Sequence, residues 1–278
     1  MYRTGVWALC GAAALFALDG IGGVLVSFGP AAALWGQLLV LLAAVGVAVL
    51  GIWFYRSVVM RRWARREPAE LGRVGAGRAV VVGLLVGAGF ITATIAIAIA
   101  VQVYRVVGPA RLTIGDVVAV LTLVVISAVL EELVFRGVLL QAFERWLGWI
   151  PALVITSLLF GAAHLGNPGA TWFGALAIAV EAGFLLGAAF LWKRNLWFTI
   201  GLHAGWNALE SLLGVPVSGE PAHGFLRLAA SGPEFLTGGT FGIEASLIPM
   251  VLGAALGCVF LFARAVEQRQ PARRGVGQ

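Results

Sequence analysis

The sequence predicts an all-α fold, a polytopic membrane bundle of about eight transmembrane helices. Three observations carry that prediction. Of 278 residues, 60% are hydrophobic and only 12% charged, a balance foreign to ordinary water-soluble domains. The apolar residues form runs of helix length, and a hydrocarbon core about 30 Å thick needs roughly 20 residues per helix. The runs are continuous and lack the in-out alternation of a transmembrane barrel.

In chain order, the first run spans 5–27. Arg3 ahead of it gives the outline of a signal peptide, but the run is long and Gly29-Pro30 is a poor cleavage site, so an uncleaved first helix is expected. The second run, 31–55, leads into a basic connection from Arg56 to Arg78. That connection contains Glu67-Pro68 and has room for an interfacial helix. Further runs follow at 79–104, 116–140, 151–165, 172–192 and 196–213. The stretch from Gly214 to Glu244, rich in Gly, Pro and Ser, is expected to be irregular, and a last run covers 245–264. No connection can hold an independent fold, so residues 1–278 read as one membrane domain. Small-xxx-small spacings at Gly83/Gly87, Gly183/Gly187, Gly201/Gly205 and Gly253/Gly257 would allow close helix contacts. No internal repeat is evident, which argues against a transporter built from duplicated halves. Cys10 and Cys258 fall inside predicted helices and offer neither a disulfide framework nor a CxxC site.

Arginine placement sets an expected orientation, because Lys and Arg in short loops stay on the cytoplasmic side. If the Arg56–Arg78 connection is cytoplasmic and the spans alternate, 15 Lys and Arg lie inside, among them Arg3, Arg145, Lys193, Arg194, Arg264, Arg269, Arg273 and Arg274. Only Arg105, Arg111 and Arg227 lie outside, and Arg136 is within a helix. Both termini are then cytoplasmic, and the 18 Arg against 1 Lys suggest a GC-rich bacterial genome and hence a bacterial cytoplasmic membrane. The net charge of +6 belongs to loops beside anionic headgroups and does not indicate nucleic acid. Trp146, Trp149, Trp192 and Trp197 fit an aromatic belt at the cytoplasmic interface.

Against this apolar background the ionisable residues stand out, since a charge at membrane depth is costly and faces protein or a wet cavity. Glu131 and Glu132 sit side by side in the fourth run. Arg136, four residues after Glu132, shares its helical face and can pair with it. Glu131 is turned about 100° away and is left for a cavity. A carboxylate there is a candidate general base. Phe160 and His164 share one face of the fifth run. His203, Asn207 and Glu210 share one of the seventh, with Glu210 a candidate support for His203. Glu181 is expected to pair within the bundle or line an access path; Asp19 and His223 are read as structural or outer-surface groups. Imidazoles can accept, donate or bind metal, and a carboxamide offers fixed donors for a developing oxyanion.

Glu131-Glu132-x-x-x-Arg136, Phe160-x-x-x-His164 and His203-x-x-x-Asn207, in that order on successive helices, resemble the CPBP family. These are the CAAX prenyl proteases and bacteriocin-processing membrane proteins also called the Abi family. The resemblance covers roughly residues 116–213, the expected catalytic core. It implies an intramembrane endopeptidase in which Glu131 and His164 activate water while His203 and Asn207 stabilise the tetrahedral intermediate. Glu132, Arg136 and Phe160 would support them, while Glu210, a candidate support for His203 by its helical face alone, has no assigned role in the family.

The family is described both as metalloprotease and as glutamate protease. Glu131, His164 and His203 could hold zinc or another divalent metal, although HExxH is absent. The leading reading needs no cofactor, because Asn207 suits an oxyanion donor better than a zinc ligand. Counting about 1.5 Å per residue from the cytoplasmic ends puts Glu131 roughly 13 Å deep, His203 roughly 10 Å and His164 nearer 20 Å. The expected remedy is for the turns around Trp149 to project into the headgroups, with the cavity opening toward the cytoplasm. The expected substrate is a membrane-associated peptide, and prenylated CAAX termini are not expected in a bacterium. A proton-coupled transporter and a non-catalytic scaffold or self-immunity factor of the same fold are the rival readings.

Overall fold

The computed structural model describes residues 2–28 and 33–269. Gly29, Pro30, Arg273, Arg274 and the Arg3 side chain lie outside the described residues. The described chain is mostly helical, and seven of its helices are long and apolar enough to cross a membrane. Helix α1 (Tyr2–Phe28) and α2 (Leu34–Phe54) form the first antiparallel pair. The helix of the predicted run 196–213, α9 (Leu196–Leu212), has 17 residues, about 26 Å of rise, and is not among the seven.

The basic connection departs from expectation. In place of a separate interfacial helix, α2 runs on as a π-helix over Tyr55–Trp63, followed only by a short turn at Ala69–Leu71. A buried polar network explains this. The Tyr55 hydroxyl donates to Glu70 and lies 3.1 Å from the Gly137 carbonyl, and Arg66 donates to both Glu70 oxygens at 2.8 and 2.9 Å and to Gln141 at 2.8 Å. Burial raises the Glu70 pKa, but the hydrogen bonds from Arg66 and Tyr55 outweigh it and hold the carboxyl below its usual range.

Helix α3 spans Ala76–Ala100, ending four residues short of the predicted run. Gln102 turns the chain through the left-handed region (φ 63°), and strand β1 (Tyr104–Pro109) follows, with β-branched Val106 and Val107. It pairs antiparallel with β2 (Leu226–Ala230), so the Gly214–Glu244 stretch is only partly irregular. That stretch also carries a single turn, α10 (Glu234–Thr237).

Helix α4 (Ile114–Glu132) starts at a capping box formed by Thr113 and Asp116. After Glu132 it becomes a π-helix over Leu133–Leu140 and then α5 (Gln141–Leu147), giving a span of 34 residues where 116–140 was expected. Helix α6 (Trp149–Ala163) ends at His164. Helix α7 (Trp172–Ile178) passes through another π-helix, Ala179–Phe184, into α8 (Leu185–Lys193). Helix α9 is Leu196–Leu212 and α11 is Leu247–Arg269.

Helices α3 and α9 run parallel and touch backbone to backbone. A Cβ on Gly83 or Gly87 would strike the Phe198 or Leu202 carbonyl, and one on Gly201 or Gly205 the Val80 or Leu84 carbonyl. The two glycine pairs thus set how closely α9 lies to α3. Cys10 and Cys258 are free and exposed.

The helices have two ends. At one lie the arginines from Arg56 to Arg78, with Arg145, Lys193, Arg194, Arg264 and Arg269 on the neighbouring helix ends; Arg194 pairs with Glu144 and Lys193 with Glu267 there. The four tryptophans predicted for an interfacial belt lie at this end, where Trp197 donates to the Gly72 carbonyl. At the other end lie the strand pair, the Gly214–Glu244 stretch and the turn after His164.

Candidate active site

Glu131, His164, His203 and Asn207 line one cavity of about 150 Å³. They reach it from three different elements: the last turn of α4, the end of α6 and the middle of α9. Glu131 Oε2 is buried and has no hydrogen-bond partner among the described residues. His164 Nδ1 lies 2.8 Å from the Phe160 carbonyl. A carbonyl only accepts, so Nδ1 carries the proton and the Nε2 lone pair is free. His203 Nδ1 lies 3.2 Å from Glu132 Oε1, which fixes that ring in the same sense.

Glu132 accepts from Arg136 at 2.7 Å and, through the same oxygen, from His203. Both partners of the ion pair are buried, at 0% and 2% exposure. Arg136 extends beyond Glu132 to the Ala182 and Gly183 carbonyls at 2.8 and 3.1 Å, in the π-helical stretch between α7 and α8. π-Helical turns recur at functional sites. Here two of them face each other across one guanidinium.

Phe160 stands at the centre of these groups. The Arg136 guanidinium lies 4.6 Å from its ring centre, and the His164 and His203 rings lie at 4.8 and 6.2 Å. Asn207 donates to Ser127 Oγ at 3.2 Å, and Ser127 in turn donates to the Leu123 carbonyl at 3.0 Å. That leaves Asn207 a second N–H.

Glu210 does not support His203. Its carboxylate accepts from Trp206 Nε1 at 2.8 Å, one turn along its own helix, and lies beside the Glu244 carboxyl. Pairing of Glu181 is not found either, as both of its oxygens are buried without partners among the described residues. His223 pairs with Asp116 at 3.1 Å, away from the cavity.

Several lining residues were missed. Asp19 of α1, read from sequence as structural or outer-surface, lines the same cavity as Glu131. Its signal was available, since a lone carboxylate inside an apolar run is a functional candidate by default. Ser127 stands one turn before Glu131, and Asn167 three residues after His164. Asn167 donates to the Ser218 carbonyl at 2.9 Å, and Ser218 gives its own N–H and hydroxyl to Glu244 at 2.7 and 2.8 Å. Burial pushes the Glu244 carboxyl up to about 7 against the opposing pull of those two Ser218 bonds.

The cavity does not open toward the arginine-rich end as expected. Beyond the four predicted residues its lining includes Val26, Asn167, Val217, Ser218 and Glu220, all at the opposite end, and no residue of the arginine-rich end. His164 caps α6 fifteen residues after Trp149, about 22 Å of rise from the start of that helix at the arginine-rich end.

Among the described residues no three His, Cys, Asp or Glu side chains are grouped to hold a metal ion. Glu131, His164 and His203 share a cavity but are not grouped as a ready-made zinc site.

A buried carboxylate, two imidazoles and a carboxamide thus surround one polar cavity inside an all-α membrane bundle. Residues 113–209 match the family model described as type II CAAX prenyl endopeptidase Rce1-like. Over that segment, about a third of the chain, the protein is similar to the type II CAAX prenyl endopeptidases. The matched segment contains all four cavity residues but not Asp19. No curated protein and no solved structure matches the chain.

Proposed function

We propose that this protein is a metal-independent intramembrane endopeptidase acting on a membrane-associated peptide, with Glu131 and His164 activating the attacking water. The observation that carries the reading is the shared cavity, with one Glu131 oxygen unpartnered and the His164 Nε2 lone pair free. A water donating one proton to Glu131 and the other to His164 keeps an oxygen lone pair for the scissile carbonyl. As it attacks, Glu131 takes a proton, and the same carboxyl returns it to the leaving amine.

The oxyanion is met by the second Asn207 N–H and by His203. With Nδ1–H already given to Glu132, His203 can donate from Nε2 only as the imidazolium, and Glu132 is the counter-charge that this form requires. Arg136 holds Glu132 in place for that purpose. No step is routed through a metal.

The test is cleavage of a membrane-tethered peptide library by purified protein in liposomes, comparing wild type with Glu131→Gln, His164→Ala and Asn207→Ala. General acid–base groups contribute about 10²–10⁴ in rate. Equal turnover by wild type and Glu131→Gln would overturn the mechanism, and net proton or solute flux lost in Glu131→Gln would favour a transporter.

A further inference from the structure

The two ends of the bundle differ in charge, and the cavity belongs to only one of them. Among the described residues, seven arginines between Arg56 and Arg78, with Arg145, Lys193, Arg194, Arg264 and Arg269, sit at one end, while Arg105, Arg111 and Arg227 are the Lys and Arg at the other. Short loops near helix ends retain Lys and Arg on the cytoplasmic side, and anionic lipid headgroups reinforce the preference. On that rule the arginine-rich end is the cytoplasmic one.

The cavity lining runs the other way. From Glu131 and His203 it passes Leu123 and Ser127 of α4, both toward that helix's N-terminal end, and reaches Val217, Ser218 and Glu220 in the Gly214–Glu244 stretch. On the cytoplasmic side of Glu131 and His203, by contrast, the interior is closed. Leu133, Val134, Phe135 and Phe160 are buried there, and the Arg136–Glu132 pair is inaccessible. The Tyr55–Glu70–Gln141 network seals the level below.

Taking charge and cavity together, we infer that the site opens on the extracytoplasmic face and acts on a peptide segment exposed on that face of a membrane-associated protein. This rests on the peptidase reading for the reaction but not for the direction of access. A segment entering there meets Asp19, Gly23 and Val26 of α1 on one side and Asn167, Ser218 and Glu220 on the other. A cytoplasmic chain terminus would have to cross the closed half of the bundle to reach Glu131.

Access can be read without any catalysis. In a background with Cys10→Ala and Cys258→Ala, single cysteines are placed at Leu123, inside the cavity, at Glu220, on its rim, and at Arg73, in the basic connection. Right-side-out and inside-out membrane vesicles are then treated with a charged, membrane-impermeant methanethiosulfonate. Leu123→Cys and Glu220→Cys should be modified in right-side-out vesicles and protected in inside-out ones, with Arg73→Cys showing the reverse. Modification of Leu123→Cys only from the inside-out side would overturn the inference, as would labelling of Arg73→Cys in right-side-out vesicles. Because thiol access alone is measured, a protein that proves inactive as a peptidase would still reveal the face on which its cavity opens.

Discussion

Replacing Arg136 by methionine tests how the site is held together. The guanidinium gives three hydrogen bonds, to Glu132 Oε1 at 2.7 Å and to the Ala182 and Gly183 carbonyls at 2.8 and 3.1 Å, and it is 2% exposed. Methionine fills similar space but leaves Glu132, fully buried, with only the 3.2 Å contact to His203. Breaking a buried ion pair from one side costs about 3–5 kcal/mol, because the remaining charge stays out of water without its partner. At about 1.4 kcal/mol per tenfold, the folded-to-unfolded ratio should fall by roughly a hundred to a few thousand. SDS titration in mixed micelles reads that ratio directly. Glu132→Gln in the same chain removes the stranded charge, so the double variant should regain a large part of the loss, with a favourable coupling of about 0.5–3 kcal/mol. Arg136→Lys keeps the charge but not the planar fork that spans three acceptors, and should fall between wild type and Arg136→Met. If Arg136→Met is as stable as wild type, or the double variant is no better than the single, the pair does not hold the two π-helical stretches together.

Other predictions follow from the packing, the cavity and the loop carboxylates. Gly87→Ala or Gly205→Ala forces α3 and α9 apart and should cost about 1–3 kcal/mol in the same SDS titration, whereas Gly46→Ala, where a Cβ meets nothing, should be near neutral. The cavity presents Asp19, Glu131 and Glu220 but no Lys or Arg, so Asp19→Asn with Glu220→Gln should raise KM several-fold for peptides carrying Lys or Arg beside the scissile bond and leave kcat little changed. Glu244 binds its proton more tightly in the folded state, with a pKa of about 7 against an ordinary 4.5. Its contribution to stability is therefore complete below pH 4.5 and lost as pH rises to about 7, and Glu244→Gln should flatten that part of a pH–stability curve. Glu70 is shifted downward, so its contribution is present above the ordinary carboxylate range and lost in acid; Tyr55→Phe should weaken it, measured as a narrower acid limit of stability.

Much of the bundle was legible because lipid imposes a simple rule on sequence. Helices must be apolar for about 20 residues, and any ionisable group among them is conspicuous. The i, i+4 spacing of Glu132 and Arg136 corresponds to a direct ion pair, and the spacing of Gly83/Gly87 and Gly201/Gly205 to a backbone contact, because a helical period converts sequence distance into facing. What periodicity does not encode was missed. Nothing in the residues Leu133–Leu140 announces a π-helix, which depends on hydrogen bonds brought by Tyr55, Gln141 and the opposing carbonyls. Strand β1 was absorbed into the third run because Val and Tyr suit either an apolar helix end or a strand, and only its partner about 120 residues later decides.

The direction of the cavity shows where counting fails. Depths measured from one set of helix ends assume that each helix begins at the membrane surface, yet the span from Ile114 to Leu147 is 34 residues, far beyond the length needed to cross. Its surplus lies at the arginine-rich end, around the π-helix and α5, so Glu131 measured from Leu140 looked shallow on that side. Measured from the other end, the closing residues are informative instead. His164 sits where α6 stops, Asn167 follows one turn later, and Ser218 and Glu244 anchor that turn from a stretch with no helical pattern at all. Access to the site is thus decided by loop residues with high sequence separation, which hydropathy passes over. Labelling of cysteines at Leu123 and Glu220 is the measurement that bears on them directly.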